Sequence, residues 1–486
     1  MDFLKGFKEK AQQNLEFLNQ AGMAVSIVKD DKVVFAGGFG FKDVEQRKKA
    51  DENTIFPIGS ASKAFTSTAV MIAQDKGLLN IDKPLRDYLP ELVFQSRTAN
   101  ESVTARDIMC HRTGLPRHDA LWVLRPNISR REIVETVRLL QPSVPFRTKW
   151  QYNNLMFASS GYLVEKVSGK QWEDFTKENI FQPLKMTNAN FSTEDSVING
   201  NFALPYALDR KKGELDPVTF SRICASGPAG SINASALEMA NWVRFNLGQG
   251  TFEGDEVLSK TNFTHLVNPN IPYVLYPWDE PEIRIMGYSL GWFVDSYRGK
   301  KMIWHGGNVN GASAVVAFIP EINAGVTVLV NTGGSMLTLA TMYDIFDRML
   351  GYGDAKDWAK VFGGAISKAM EQGEKAGEEF KKTRKAARTT HDLEDFAGTY
   401  VNEAYGTVKV GVSGKNLYVK MVEKKLRLEN WHYDVFMLGI DDEFQPLQLD
   451  IAFITGVSGK IEAFQSTLES TPGVAPILFK KIEKEG

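Results

Sequence analysis

Apolar positions in this chain follow a helical rhythm at the start. Phe3, Leu4, Phe7, Leu15, Phe17 and Leu18 are set among Lys5, Lys8, Glu9 and Lys10, which predicts an amphipathic helix over residues 1–20. Two β-branched runs follow, 24–28 and 33–37. The link Lys29-Asp30-Asp31-Lys32 between them predicts a hairpin. From residue 60 to about 246 helical patterns and turns dominate. Strand-like runs return at 290–294, 312–319 and 325–331, followed by a helix near 337–350. A sheet drawn from both ends of a region, with helices inserted between them, is an α+β layered arrangement.

The rhythm changes near Gly351. Residues 355–388 are rich in Ala, Lys, Glu and Gly, with Trp358, Val361, Phe362 and Ile366 as a short apolar stripe, and they read as a charged helical connector. From 393 to 482 the period is two: Val408, Val410, Val412; Leu417, Val419, Met421; Leu447, Leu449, Ile451, Phe453. Turns at Ser413-Gly414-Lys415 and Ser458-Gly459-Lys460 separate such runs. Short alternating strands in this number suggest a small antiparallel barrel or sandwich. The expected organisation is one domain over 1–352, a charged helical linker over 353–390 and a barrel domain over 391–486.

Composition narrows the function classes. At 486 residues the chain is too long for one ordinary core. With 43% hydrophobic and 24% charged residues and a formal net charge of −2, it is an ordinary globular protein with no nucleic-acid or anionic-membrane partner expected. Cys110 and Cys224 lie far apart and outside any C-x-x-C spacing, so neither a disulfide framework nor a zinc site is suggested. No unbroken apolar segment follows the basic residues at the start, and none reaches bilayer length. A cytoplasmic chain without a membrane span is expected.

No cofactor is expected either. Gly38-Phe39-Gly40 lacks the third glycine and the following helix of a nucleotide loop. His111 and His118 are seven apart with no H-E-x-x-H, which makes them loop histidines, and no metal is expected.

Three short motifs carry chemistry. In Gly59-Ser60-Ala61-Ser62-Lys63, residues 60–76 read as a helix that ends at Gly77. Side chains at i and i+3 are neighbours on a helix, so Lys63 can reach the Ser60 hydroxyl. The helix start offers free N–H groups to an oxyanion, and burial would favour the neutral amine that a general base requires. Ser26-Ile27-Val28-Lys29 has the same form but lies in a predicted strand, where an odd offset puts Ser26 and Lys29 on opposite faces.

The second motif is Tyr152-Asn153-Asn154, just before a predicted helix over 155–167. A phenol beside a lysine can relay protons, and the Asn154 amide can hold a substrate carbonyl. Tyr400-Val401-Asn402 is its decoy in the barrel. The third is His305-Gly306-Gly307-Asn308, where glycines at a strand edge admit a substrate and the Asn308 N–H can serve as an oxyanion donor. Each motif is common alone. Their order, with gaps of 92 and 153 residues, and their placement on a helix start, a turn and a strand, carry the reading.

On these motifs the region from Gly22 to about Gly351 resembles the penicillin-binding-protein and class C β-lactamase group of serine hydrolases, with its carboxypeptidase, D-aminopeptidase and esterase relatives. Ala21-Gly22-Met23-Ala24-Val25, Phe56-Pro57-Ile58-Gly59-Ser60, His111-Arg112-Thr113-Gly114-Leu115 and Gly227-Pro228-Ala229-Gly230-Ser231 also look like that group. The tail is similar to a lipocalin-like domain appended to some of them.

The resemblance implies a β-lactamase/transpeptidase-like antiparallel sheet flanked by helices, with an all-α insertion. It implies acyl transfer at Ser60, with Lys63 and Tyr152 sharing proton transfer and Asn154 positioning substrate. The N–H groups of Ser60 and Asn308, set by Gly307, would form the oxyanion hole. The departure is His305, where the group usually places a lysine. A neutral imidazole there implies less commitment to a free carboxylate, and so esters, amides or peptides rather than β-lactams.

The partner implied is a small-molecule or peptide substrate, with a homo-oligomer left open. Trp122, Trp150, Tyr273, Tyr276 and Trp278 are candidate pocket walls. By the same resemblance, Asp441-Asp442-Glu443 would meet a substrate amine if its loop reaches the site. The competing reading is a catalytically silent member of the same fold that binds peptides or partners. An α/β-hydrolase is disfavoured because G-x-S-x-G is absent.

Overall fold

The computed structural model describes residues 2–219, 225–274, 280–353, 356–385, 387–421, 424–438 and 450–482. The first predicted elements form as expected. Helix α1 (Phe7–Phe17) leads into strands β1 (Gly22–Lys29) and β2 (Lys32–Asp43), and Asp30 and Asp31 take φ of 52° and 59°, as a tight two-residue hairpin requires. A two-residue β3 (Lys48–Lys49) borders β2. The later strands are β4 (Ile283–Tyr288), β5 (Phe293–Tyr297), β6 (Lys300–Val309), β7 (Ala312–Ile319) and β8 (Ala324–Val330). They complete one antiparallel sheet of order β4-β5-β6-β7-β8-β1-β2-β3. The joint between chain halves is β1 against β8, from Met23 opposite Val330 to Lys29 opposite Ala324.

Strands β7 and β8 are apolar almost throughout because both sheet faces are covered. The helices that bear on the core and site are α2 (Ser62–Asp75), α3 (Asn154–Ser168), α4 (Ala236–Leu247), α5 (Leu337–Met349) and α6 (Trp358–Lys382). One face of the sheet takes α4, the other takes α5 and α1, and α6 begins against α5. The inserted region is mainly helical as expected, but it also holds small two-stranded pieces, among them Tyr206–Asp209 with Glu214–Pro217.

One strand is displaced from its expected place. The run 290–294 reads as a strand, yet Ser289–Trp292 is a turn between β4 and β5, with Gly291 at φ 74°. Leu290 and Trp292 are buried there because the turn packs on α2, where a Cβ at Gly291 would meet the Lys63 carbonyl oxygen at 2.8 Å. An apolar turn under a helix looks like a strand in sequence.

Beyond α6, eight strands from β9 (Gly398–Asn402) to β16 (Ile477–Ile482) form a closed antiparallel barrel, with β16 paired back onto β9. Gly414 and Gly459 occupy the predicted turns with φ of 59° and 78°. Tyr400, Phe436, Phe453, Phe464 and Phe479 fill the interior, and the Tyr400 hydroxyl donates to the Phe396 carbonyl inside the barrel. The acidic stretch 441–443, Cys224, Tyr276 and Trp278 lie outside the described residues. Cys110 is a buried free thiol whose pKa burial pushes up to about 12. No described helix is long and apolar enough to cross a membrane.

Phe65 shows what anchors α2. It is fully buried, stacked on Trp242 of α4 at 3.8 Å between centroids and meeting Phe181 edge-on at 6.0 Å. Phe65→Ala removes the ring from both contacts and should cost about 3–5 kcal/mol, read as a lowered urea midpoint at unchanged slope.

Candidate active site

The chain enters the site from the short strand Ile55–Pro57 through a single 3₁₀ turn, Gly59–Ala61, before α2 begins at Ser62. Ser60 thus lies one step ahead of the α-helix rather than on it, still three residues before Lys63. Lys63 is fully buried, and its Nζ lies 3.1 Å from Ser60 Oγ, 2.9 Å from Asn154 Oδ1 and 2.7 Å from the Ala229 carbonyl oxygen. Burial holds its pKa well below the lysine range, and the Arg117 charge adds to this while Asp119 opposes it. The neutral amine has two N–H groups and one lone pair. The two carbonyl oxygens can only accept, so the lone pair is left for the Ser60 hydroxyl.

Tyr152 and Asn154 arrive together at the start of α3. The helix is capped by Asn153, whose Oδ1 accepts the Met156 N–H at 3.0 Å. With capping done by its neighbour, Asn154 is free for the site. Its Oδ1 accepts from Lys63 and its Nδ2 donates to Asp119 Oδ1 at 3.1 Å. The Tyr152 ring lies 4.7 Å from Lys63 Nζ, its hydroxyl is hydrogen-bonded to Ser60, and burial raises its pKa above the ordinary phenol value.

The third wall is β6. Gly59 and Gly307 let it touch the Ser60 turn. Gly59 has φ 52°, and a Cβ there would sit 2.9 Å from the Asn308 nitrogen, while a Cβ at Gly307 would overlap the Ile58 carbonyl oxygen. This seam sets the Asn308 amide beside the backbone of residues 59 and 60.

His305 shares the face of Gly307 two residues away but is only 1% exposed. Its Nδ1 donates to the Gly306 carbonyl at 2.6 Å, and its Nε2 accepts from the Tyr288 hydroxyl at 3.1 Å. Burial, the largest cause, lowers its pKa to about 3, so the ring is neutral at physiological pH. Direct contact of His305 with substrate does not follow, because both ring nitrogens are occupied inside the protein.

Ser60, Arg117, Trp122, Asn154, Ser226 and Asn308 line a cleft of about 200 Å³. Two of its determinants escaped the sequence reading. Asp119 accepts Arg117 Nε at 2.6 Å through Oδ2, and Asn154 Nδ2 and Trp122 Nε1, each at 3.1 Å, through Oδ1. Arg117 stands 5.4 Å from the Tyr152 ring centroid. Their signal was the run Arg117-His118-Asp119 straight after Gly114-Leu115-Pro116, three polar residues that no spacing rule selects.

Of the aromatic candidates, Trp122 lines the cleft, whereas Trp150 and Tyr273 pack together beneath it at 5.7 Å. His111 and His118 are loop residues as expected, but both are buried. His111 lies 4.5 Å from the Tyr152 ring and accepts the Asn153 N–H at 3.1 Å. Among the described residues no His, Cys, Asp and Glu group could hold a metal ion.

The Beta-lactamase family model matches residues 7–344, and a domain of unknown function, DUF3471, matches residues 382–481. An unguisins hydrolase from Aspergillus campestris is 27% identical over 414 residues, 82% of this chain and 76% of that protein. Protein flp of Staphylococcus aureus strain N315 is 22% identical over 312 residues, 64% of this chain and 59% of that one. Among solved structures, the octameric penicillin-binding protein homologue from Pyrococcus abyssi aligns over 99% of this chain and 100% of its own, with TM-score 0.61 and 21% identity. The D-amino acid amidase from Ochrobactrum anthropi SV3, complexed with L-phenylalanine amide, covers 72% of this chain and 98% of its own, with TM-score 0.60 and 16% identity. With residues 7–344 under one family model and the fold shared along its length with a penicillin-binding protein homologue, the chain belongs to the Beta-lactamase family.

Proposed function

We propose that this protein is a serine hydrolase that cleaves ester or amide bonds of small peptide-like substrates through an acyl-enzyme at Ser60. The observation that carries the reading is the buried Lys63 amine, whose two N–H groups have carbonyl acceptors and whose lone pair is left for the Ser60 hydroxyl. A hydroxyl set against a neutral amine in a dry site is an activated nucleophile. A silent relative would have no need to keep an uncompensated lysine buried.

Lys63 takes the Ser60 proton as Oγ attacks the carbonyl carbon. The resulting oxyanion sits between the Ser60 and Asn308 N–H groups. As the tetrahedral centre collapses, the proton passes from Lys63 through the Tyr152 hydroxyl to the leaving oxygen or nitrogen. Water then enters by the reverse relay and releases the acid. The opposite shifts of Lys63, downward, and Tyr152, upward, favour the lysine as base and keep the phenol protonated as a relay. Asn154 orients Lys63, and His305 supports β6 from below. The likeness to an unguisins hydrolase supports hydrolysis, and the preference for esters and amides over β-lactams rests on His305 standing where the group usually places a lysine. The octameric homologue makes a homo-oligomer part of the proposal, to be checked by light scattering.

A fluorophosphonate should label Ser60 and nothing else, as read by peptide mass spectrometry. Label persisting in Ser60→Ala, or found on Ser62, would refute the assignment. Lys63→Ala and Tyr152→Phe should each lower kcat/KM at least about a hundredfold, and the double variant should be far from additive.

The base must be unprotonated to act, so kcat/KM should rise with pH through the folded-state pKa of Lys63 and level off well short of the usual lysine range. An acid limb that survives in Lys63→Ala would assign the ionisation to another group.

A further inference from the structure

The loop that carries Arg117 and Asp119 alternates its loyalties. Arg117 lines the cleft and Asp119 holds it there, while His118 between them turns away toward the C-terminal barrel. His118 takes φ of 48°, an uncommon backbone for a residue with a Cβ, and such a conformation persists where neighbours enforce it. The neighbours are barrel residues. Tyr405, in the turn after β9, donates its hydroxyl to His118 Nδ1 at 2.7 Å, and Glu469, in the segment before β16, accepts the His118 backbone N–H at 2.6 Å. The other ring nitrogen, Nε2, donates to the Gln141 carbonyl at 2.9 Å. His118, Tyr405 and Glu469 are all buried. From the opposite side Asn153 donates through Nδ2 to the Pro116 carbonyl. The loop is therefore pinned between the start of α3 and the barrel.

Among the described lining residues of the cleft, Arg117 is the one with a permanent charge. Its side chain is 54% exposed. Nε and Nη2 both face a single oxygen of Asp119, and among the described residues Nη1 has no hydrogen-bond partner. The second Asp119 oxygen is taken up by Asn154 and Trp122. His305 is neutral and sealed beneath the site, so the anion-binding role given to lysine by the resemblance falls to no residue of that strand.

We propose that Arg117 recognises a carboxylate on the substrate close to the scissile bond, and that Tyr405 and Glu469 of the barrel act as positioning residues that hold it in register through His118. The inference rests on the hydrolase reading above and names its substrate class: acidic esters or peptides with a free carboxylate beside the bond cut. It replaces the expectation, drawn from His305, that the site is less committed to a free carboxylate. A guanidinium is suited to the task because its planar donors match a carboxylate edge.

Hippuryl-phenyllactate and its phenyllactamide counterpart share one scissile ester and differ only in the carboxylate; both enantiomers of each are to be used. The full-length protein should favour the acid by at least about tenfold in kcat/KM, mainly through KM, as expected for a charge-assisted contact made in the ground state. Arg117→Gln should bring the ratio close to one, and Arg117→Lys should restore part of it. Tyr405→Phe and Glu469→Gln, both outside the cleft, should lower the same ratio, with circular dichroism and thermal melts showing that each variant is folded. A wild-type ratio of one or less, or a ratio unmoved in Arg117→Gln, overturns the anion assignment. A ratio unmoved in folded Tyr405→Phe and Glu469→Gln overturns the role of the barrel. Calorimetric binding of both compounds to Ser60→Ala gives the same comparison without turnover. If wild-type Ser60 takes no fluorophosphonate, the hydrolase reading fails while this binding ratio still decides the present one.

Discussion

A lysine without a carboxylate partner, sealed from water, is the constraint around which this site is built. Removing an ammonium from water costs several kcal/mol unless an opposite charge compensates it, and none of the three groups touching Lys63 is charged. Burial pushes Lys63 toward the neutral amine, and the surroundings suit that form. The turn Gly227–Gly230 brings in the Ala229 carbonyl, and Thr66 fastens the same turn by donating to Pro228 at 2.6 Å. The Ser62 hydroxyl accepts the Ile232 N–H at 3.1 Å just beyond it. Asn153 caps α3 so that Asn154 can face inward. The neighbours of Lys63 serve one requirement, two acceptors and one hydroxyl at hydrogen-bond distance with no room for water.

The second requirement is close approach of β6 to the Ser60 turn, and here side-chain absence is the structural feature. Gly59 must adopt a positive φ and must also leave room for the amide of residue 308; Gly307 must leave room for the Ile58 carbonyl. Two glycines facing each other across a seam bring two stretches of backbone, rather than two side chains, into close approach; under the proposed reading their N–H groups would serve one oxyanion. Rigid backbone donors lose no rotamer freedom when an oxyanion appears.

How much of this was legible depended on whether the signal was local. The boundaries of β7 were readable to the residue because an apolar run broken only by Ser313 lies between Gly311 and Pro320, and the Ser26 decoy was rejected by the parity of a strand; both outcomes follow from strand geometry. The pairing of Ser60 with Lys63 was visible because it is one helical turn long. The Ser289–Trp292 turn was misread because its apolar residues are buried by α2, which a local pattern cannot reveal. His305 was read only as lying at a strand edge, and its partner Tyr288 comes from the end of β4, beyond β5; nothing near residue 305 announces a hydroxyl for Nε2. Arg117 and Asp119 were missed for the converse reason: their roles arise from a loop whose shape is imposed by the barrel almost 300 residues later in the chain.

The sheet arrangements decide how copies of this chain can and cannot associate. A barrel whose last strand pairs with its first has no row of unpaired backbone groups to offer a neighbour. The large sheet is guarded only in part: on one side Lys48 and Lys49 pair with β2 at Asp43 and Phe41 alone, and on the other β4 is interrupted by a bulge between Ile285 and Gly287 and carries Arg284. Strand addition, the commonest accidental route from a β-rich protein to a fibre, is thus closed at the barrel and hindered by charge and a bulge at the margins of the large sheet. Assembly of the barrel is left to side-chain surfaces, which can be specific and finite, and not to continuation of a sheet, which is neither.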